Sequence, residues 1–250
     1  MTRAFARVRG TSVQLSAAPS AHAMRHFNNV LVILPHAGEE TVSCGGTIRR
    51  LANAGALITL VLLTGGERGN PSGTLDLGLK AIRRSESERA AKILGISRVI
   101  QEYFPAGRLF EQTLQVKSAL ARSMTYVDPD LILTCEAGDL DGHPDYVACN
   151  AAVTEMRRLN HPRVPLWYAT LPARLLTVPQ PAGPMAHDPR VDARRSRPTH
   201  RVFLGFAVWA KMRASKEHRS QRGAIRRGIA PLIPPWIAVS LPPFEYFAEA

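Results

Sequence analysis

Aromatic residues make up only 6% of this 250-residue chain. They are not interleaved with its basic residues, so the stacking platforms of a nucleic-acid module are not expected. No apolar run approaches the roughly 20 residues that a membrane span requires, and no transmembrane segment is expected. Cysteine is scarce: Cys44, Cys135 and Cys149 form an odd set without metal-type spacing, which suits reduced thiols in a cytoplasmic protein. No Gly-x-Gly-x-x-Gly turn follows the first strand-like segment, which argues against a dinucleotide enzyme. Acidic residues are also few, 20 against 32 Lys and Arg. The excess is regional, because residues 190–227 carry twelve basic and two acidic side chains. Such a region favours an anionic or phosphorylated substrate or an anionic membrane surface, or it is a solvated Arg-rich face.

What remains is ordinary globular material, 45% hydrophobic and 21% charged, and long enough to bury one substantial core. Residues 1–27 hold Arg3, Arg7, Arg9 and Arg25 with no acidic residue and no continuous apolar segment of the secretory kind. They are expected to be a disordered leader to a single domain over 28–250, with Met24 an alternative start. The apolar run at 30–34 is too short for a helix and rich in branched residues, as buried parallel strands are. Pro35, His36, Glu39, Glu40 and the pair Gly45 and Gly46 follow it, then a helical pattern to Asn53, a stop at Gly55 and a second apolar run at 58–63. This strand, helix, strand unit builds parallel sheets, whose ligands bind beyond the carboxyl ends of the strands. His36, Glu39 and Glu40 fall past the first strand, and Thr64, Gly65, Gly66 and Glu67 past the second.

The same reading places a helix at 79–94 stopped by Gly95, a strand at 99–103, a helix at 110–127 and a strand at 131–134. Asp141, Gly142, His143, Pro144, Asp145 and Tyr146 then open a helix to about 159; proline near a helix start is favourable because its missing N–H has no partner there. A strand at 166–170 and a proline-rich basic loop at 172–198 follow. Residues 202–210 are apolar and lead into a run from Lys211 to Gln221 that contains Ala214, His218 and Ser220.

These motifs resemble those of the LmbE-like (PIG-L) family of metal-dependent N-deacetylases and amidases. Family members read Pro-His-Pro-Asp-Asp-Glu and Cys-Gly-Gly-Thr at the first motif, Pro-Asp-Gly after the third strand, and His-Pro-Asp-His at the second motif. Here those positions are Pro35-His36-Ala37-Gly38-Glu39-Glu40, Cys44-Gly45-Gly46-Thr47, Pro105-Ala106-Gly107 and His143-Pro144-Asp145-Tyr146. The late Lys-x-x-Ala-x-x-x-His-x-Ser-Gln run and the closing Phe244-Glu245-Tyr246-Phe247 are similar too, so the resemblance spans about 29–247. It implies a single Rossmann-like α/β domain with a mainly parallel sheet flanked by helices.

The resemblance also implies a chemistry. Zinc takes three His, Asp or Glu ligands and keeps one position for water, whose pKa it lowers. A carboxylate must accept the water's proton, and an acid must protonate the departing amine. Carried over by position, His36 is a metal ligand, Glu39 replaces a ligating Asp, and Tyr146 replaces the last ligand. A neutral tyrosine binds zinc poorly because its hydroxyl has a pKa of about 10. His143 is the acid or oxyanion stabiliser, and Asp145 orients it. Gly38 stands where the general base belongs, so the role passes to Glu39 or Glu40. Glu67, Arg68 and His218 are candidate substrate contacts, and Arg84 or Glu88 a brace for the site loops. Two functions are compatible with this pattern. One is a zinc or other divalent-metal hydrolase of an amide C–N bond, acting on an N-acetylglucosaminyl-type or related, possibly anionic, small metabolite. The other is a non-catalytic binding or regulatory pseudoenzyme.

Overall fold

The computed structural model describes residues 23–66, 77–138, 143–170, 196–221 and 243–250. At its centre is β1 (Asn29–Leu34), fully buried from Val30 onward and paired in parallel with β2 (Leu57–Thr64) and β4 (Leu131–Cys135). Such strands read as continuous apolar runs because helices cover both of their faces. Beyond β2 lies β3 (Arg98–Phe104), and beyond β4 lies β5 (Leu166–Thr170), both parallel. Two further strands, β6 (His200–Phe203) and β7 (Phe244–Glu249), complete one seven-stranded sheet in the order β3-β2-β1-β4-β5-β7-β6. β7 runs antiparallel to both β5 and β6. The sheet is therefore mainly parallel, with an antiparallel edge.

The helices among the described residues are α1 (Glu39–Ser43), α2 (Gly45–Asn53), α3 (Leu77–Leu94), α4 (Thr113–Val127), α5 (Pro144–Asn160) and α6 (Ala207–Glu217). The chain builds β2 and β3 on one side of β1 and then β4 and β5 on the other. That reversal opens a crevice at the carboxyl ends of β1 and β4, where ligands of open α/β sheets bind. His36 follows β1 directly, and His143 and Asp145 lie between β4 and the body of α5.

Three expectations are corrected. The helix expected from residue 110 begins as a 3-10 turn, Leu109–Gln112, and becomes α4 only at Thr113, because Asp145 holds the Leu109 N–H. The apolar stretch at 202–210 is split: β6 ends at Phe203, Gly205 turns the chain with a φ of 53°, and α6 follows. Packing also begins inside the stretch expected to be leader. Ala23–His26 form a 3-10 turn, Met24 is 1% exposed in the core, and the Phe27 ring meets Trp167 edge-on at 5.7 Å. Residues 1–22 and most of the expected loop at 172–198 lie outside the described residues.

All three cysteines are free and buried. Burial, reinforced by the charge of Glu245, pushes the Cys44 thiol well above its usual range. It is a packing residue rather than a nucleophile.

α6 packs on α1, α2 and α3 and is fastened to them by buried polar pairs. Lys211 donates to Glu245 at 2.7 Å, and Glu245 accepts the Gly46 and Thr47 N–H groups at the start of α2, at 2.9 and 2.7 Å. In the turn after α6, Ser220 donates its N–H and hydroxyl to Glu86, at 2.9 and 2.7 Å.

Candidate active site

His36 is held by a short chain of hydrogen bonds. The Thr64 hydroxyl donates to the Pro35 carbonyl at 2.9 Å and lies 2.8 Å from His36 Nδ1. A hydroxyl has one proton, and it is used on Pro35. Nδ1 must therefore carry the imidazole proton and donate to Thr64, which leaves Nε2 with a lone pair. That lone pair faces Asp145 Oδ2 at 3.4 Å. Asp145 is fully buried, and it accepts the Gly107 N–H on Oδ2 at 2.7 Å and the Leu109 N–H on Oδ1 at 3.1 Å. Two electron-rich atoms directed at one another call for a cation between or beside them, either a proton on His36 or a metal ion.

His143 is the N-cap of α5 and accepts the Asp145 N–H on Nδ1 at 3.2 Å. Its neutral form therefore carries the proton on Nε2. Donor atoms of His36, His143 and Asp145 all lie within 4.8 Å of one another. The two imidazoles meet edge to face at 5.0 Å, and the buried Tyr146 ring stands edge-on to both, at 5.9 and 6.2 Å. Imidazole nitrogen and carboxylate oxygen are donors that zinc accepts, and a ligand histidine usually donates its other ring N–H to a fixed acceptor, the part the Thr64 hydroxyl plays here. The donor set thus fits a divalent ion. His36 and Asp145 are the ready ligands, because ligation by His143 Nε2 would shift its proton to Nδ1 and give up the α5 cap. Replacing Thr64 by valine should free the His36 ring and weaken metal affinity by about 10- to 100-fold, measured by titration calorimetry.

The roles carried over from the motifs change in several places. Glu40 is not available as a base: it is fully buried, Oε2 accepts the Gly38 N–H at 2.7 Å, and Oε1 meets His218 Nε2 at 2.6 Å. His218, expected at a substrate surface, is 1% exposed and serves as the other half of that pair. Glu39 lies outside the His36 group. The left-handed Gly38 starts α1 there, and Glu39 accepts from Ser43 along the helix at 3.5 Å. Asp145 orients His143 through its backbone N–H, while its carboxylate faces His36 and anchors the 107–109 turn. Tyr146 does line the same centre. The exposed Arg84 and Glu88 pair with each other, and the buried charged residues of that helix are Arg83 and Glu86. Glu67 and Arg68 lie outside the described residues.

At position 38 the space for a side chain is already taken. A Cβ on Gly38 would come within 2.8 Å of Gln221 Oε1, and Gln221 Nε2 donates to the Ala37 carbonyl at 2.8 Å. Gly38 also has a φ of 97°, which L-residues rarely adopt. Gly38→Asp is therefore expected to cost about 1–3 kcal/mol in urea denaturation and to bring no gain in metal affinity. Trimming Gln221 to glycine in the same chain should recover part of the loss. A stable Gly38→Asp protein that binds metal more tightly would contradict this geometry.

The Glu40–His218 pair carries a pH signature. Burial by itself lowers the His218 pKa, but the charge and hydrogen bond of Glu40, with Glu86 adding and Arg83 opposing, raise it above its ordinary value. A raised folded pKa means that the stabilisation is fully present below the unfolded value of about 6.5 and is lost as pH rises through the folded one. Thermal melts should show stability declining over that window, and His218→Gln should flatten the decline. An unchanged slope in the variant would show that another group titrates.

Thr64, Gln221, Glu86, Lys211 and Glu245 were not assigned roles from sequence. The available signals were modest: a threonine at the end of a buried strand, and a lone carboxylate, Glu245, among closing aromatics.

A histidine in ligand form, a buried carboxylate and a second histidine presenting Nε2–H are gathered past the ends of parallel strands, where they form a group that could hold a divalent ion. The family described as PIG-L, GlcNAc-PI de-N-acetylase, matches residues 31–157, half of the chain, and the chain belongs to that family. It is 30% identical over 152 residues to a probable N-acetyl-alpha-D-glucosaminyl L-malate deacetylase 2 of Bacillus anthracis, covering 58% of this chain and 67% of that protein. Against other curated relatives it spans about half of their length or somewhat more. Among solved structures, the N,N'-diacetylchitobiose deacetylase of Pyrococcus horikoshii is similar with a TM-score of 0.59 at 19% identity, over 91% of this chain and 85% of that one. A 4-carboxy-2-hydroxymuconate hydratase from Pseudomonas putida is similar with a TM-score of 0.61 at 19% identity, over 89% and 96%. At such identities the likeness concerns the fold, and the fold alone serves more than one reaction.

Proposed function

We propose that this protein is a divalent-metal-dependent hydrolase of an amide C–N bond that removes the acetyl group from an N-acetylated amino sugar. The observation that carries this reading is His36, held by Thr64 with its Nε2 lone pair 3.4 Å from a buried carboxylate and with His143 alongside. The deacetylase names of the relatives support the amide and the sugar. His36 and Asp145 would hold the metal, zinc being the first candidate for a nitrogen and oxygen donor set. When bound, such an ion lowers the pKa of water and polarises a carbonyl.

The chain's own side chains supply the rest. His143 presents Nε2–H as a hydrogen-bond donor to the developing oxyanion, and the proton that the base takes from water passes to the departing nitrogen. Tyr146 and the edge of His36 wall the crevice and limit access of bulk water. Glu39, half-exposed at the start of α1, is the first-motif carboxylate left to accept the proton of water, because Glu40 is consumed by His218. The regional positive charge favours a substrate with an acidic group. A single domain over 28–250 and a cytoplasmic setting for its reduced thiols belong to the same reading.

The test is acetate release by zinc-loaded protein from N-acetylglucosamine, diacetylchitobiose and an N-acetylglucosaminyl malate. Metal bound without release from any of the three would sink the substrate class. The non-catalytic alternative draws on Gly38, whose side-chain space Gln221 fills, and it predicts substrate binding without product.

A further inference from the structure

Away from the crevice, the turn between β6 and α6 and the start of α6 bring three exposed aromatics together, among them Phe206, the most exposed aromatic of the described residues. Phe206 is 92% exposed, Trp209 60% and Phe203 50%. Phe206 and Trp209 belong to one stripe of α6 that continues through Arg213 and Lys216, both exposed, at spacings of three and four residues. Residues so spaced share a helix face. Beside the aromatics lies a groove of about 340 Å³, lined by Met24, Arg50, Asn53, Phe203, Leu204 and Phe206 among others, with no carboxylate in its wall. Arg50 donates to the Phe203 carbonyl there, and Arg201 covers the Phe244 ring at 5.1 Å. Arg197 and Arg219 add exposed positive charge on either side of this segment.

We propose that the β6–α6 face is a peripheral docking surface for anionic lipid bilayers, with Phe206 and Trp209 entering the interfacial region and Arg213 and Lys216 meeting lipid phosphates. Two observations combine to select this partner. Large aromatics with a cationic flank match the apolar interior and negative headgroups of such a membrane at once. A second copy docked face to face would instead bring Arg50, Arg213 and Lys216 against their own equivalents. No helix among the described residues is long and apolar enough to cross a membrane, so the attachment is to the surface. α6 runs from this face to His218 and on to Gln221 beside Gly38, so docking orients the crevice relative to the bilayer.

The experiment is co-sedimentation of the full chain with vesicles of phosphatidylcholine alone and with phosphatidylserine added, with analytical ultracentrifugation of the protein by itself. Expected is binding to the serine-containing vesicles only, weakened about tenfold by Phe206→Ser with Trp209→Ser and also by Arg213→Glu with Lys216→Glu, and falling as salt rises. The substituted side chains are exposed, and an unchanged thermal melt confirms folding. Absence of binding would overturn the proposal. So would binding that ignores the aromatic substitutions, or a dimer that those substitutions dissociate, which would assign the face to a second copy.

Discussion

His36→Ala is expected to remove the bound divalent ion and to lower deacetylation by about 10³-fold or more. A divalent ion held there would supply several kcal/mol of transition-state stabilisation, and about 4 kcal/mol corresponds to that factor. His36 is the one imidazole of the centre whose second nitrogen is already pinned, by Thr64, in the form that presents Nε2. His143→Ala should behave differently. Its Nδ1 caps α5 and its Nε2 carries a proton, so its loss should spare most of the metal affinity while lowering kcat. Steady-state kinetics combined with metal analysis separates the two variants. Equal loss of metal in both would show that His143 ligates and that the cap bond is surrendered on binding.

The largest stability effect is expected at Lys211. Its ammonium is buried against Glu245, which also caps the first N–H groups of α2. Lys211→Met leaves that carboxylate buried with only backbone donors. Breaking one side of such a pair costs about 3–5 kcal/mol, a Tm loss on the order of 10 °C. Adding Glu245→Gln removes the unpaired charge and keeps an acceptor for α2, so the double variant should recover much of the loss. A single variant within about 1 kcal/mol of the parent would mean that the carboxylate finds water or another cation.

The central parallel strands β1, β2 and β4 were legible in the sequence because burial on both faces writes them as apolar runs, as at 30–34 and 58–63, and β3 and β5 as short segments rich in branched and aromatic residues. β6 and β7 were not. They are short strands at an antiparallel edge, and His200, Arg201 and Glu245 interrupt their apolar pattern. The positions of His36, His143 and Asp145 were legible as motifs, and the roles proposed for His36 and His143 are the ones the motifs imply, whereas those of Asp145, Glu40 and Gly38 depend on distant partners. Glu40 reads as a spare carboxylate until His218, 178 residues later, is seen to occupy it. Gly38 reads as a lost base until Gln221 is seen against it, and the direction of the Asp145 carboxylate is set by the N–H groups of Gly107 and Leu109. Hydrophobic periodicity reports burial, but it carries no information on which polar atoms will meet across the sheet.

The most direct test of the metal-centre assignment is the divalent-metal content of protein purified without chelator or affinity histidines, compared across the parent, His36→Ala and Asp145→Asn. About one zinc or equivalent ion per chain in the parent, lost in both variants, is the predicted result. Absence of metal in the parent after equilibration with excess zinc would contradict it, and would leave a protonated His36 paired with Asp145 as the cation of the centre.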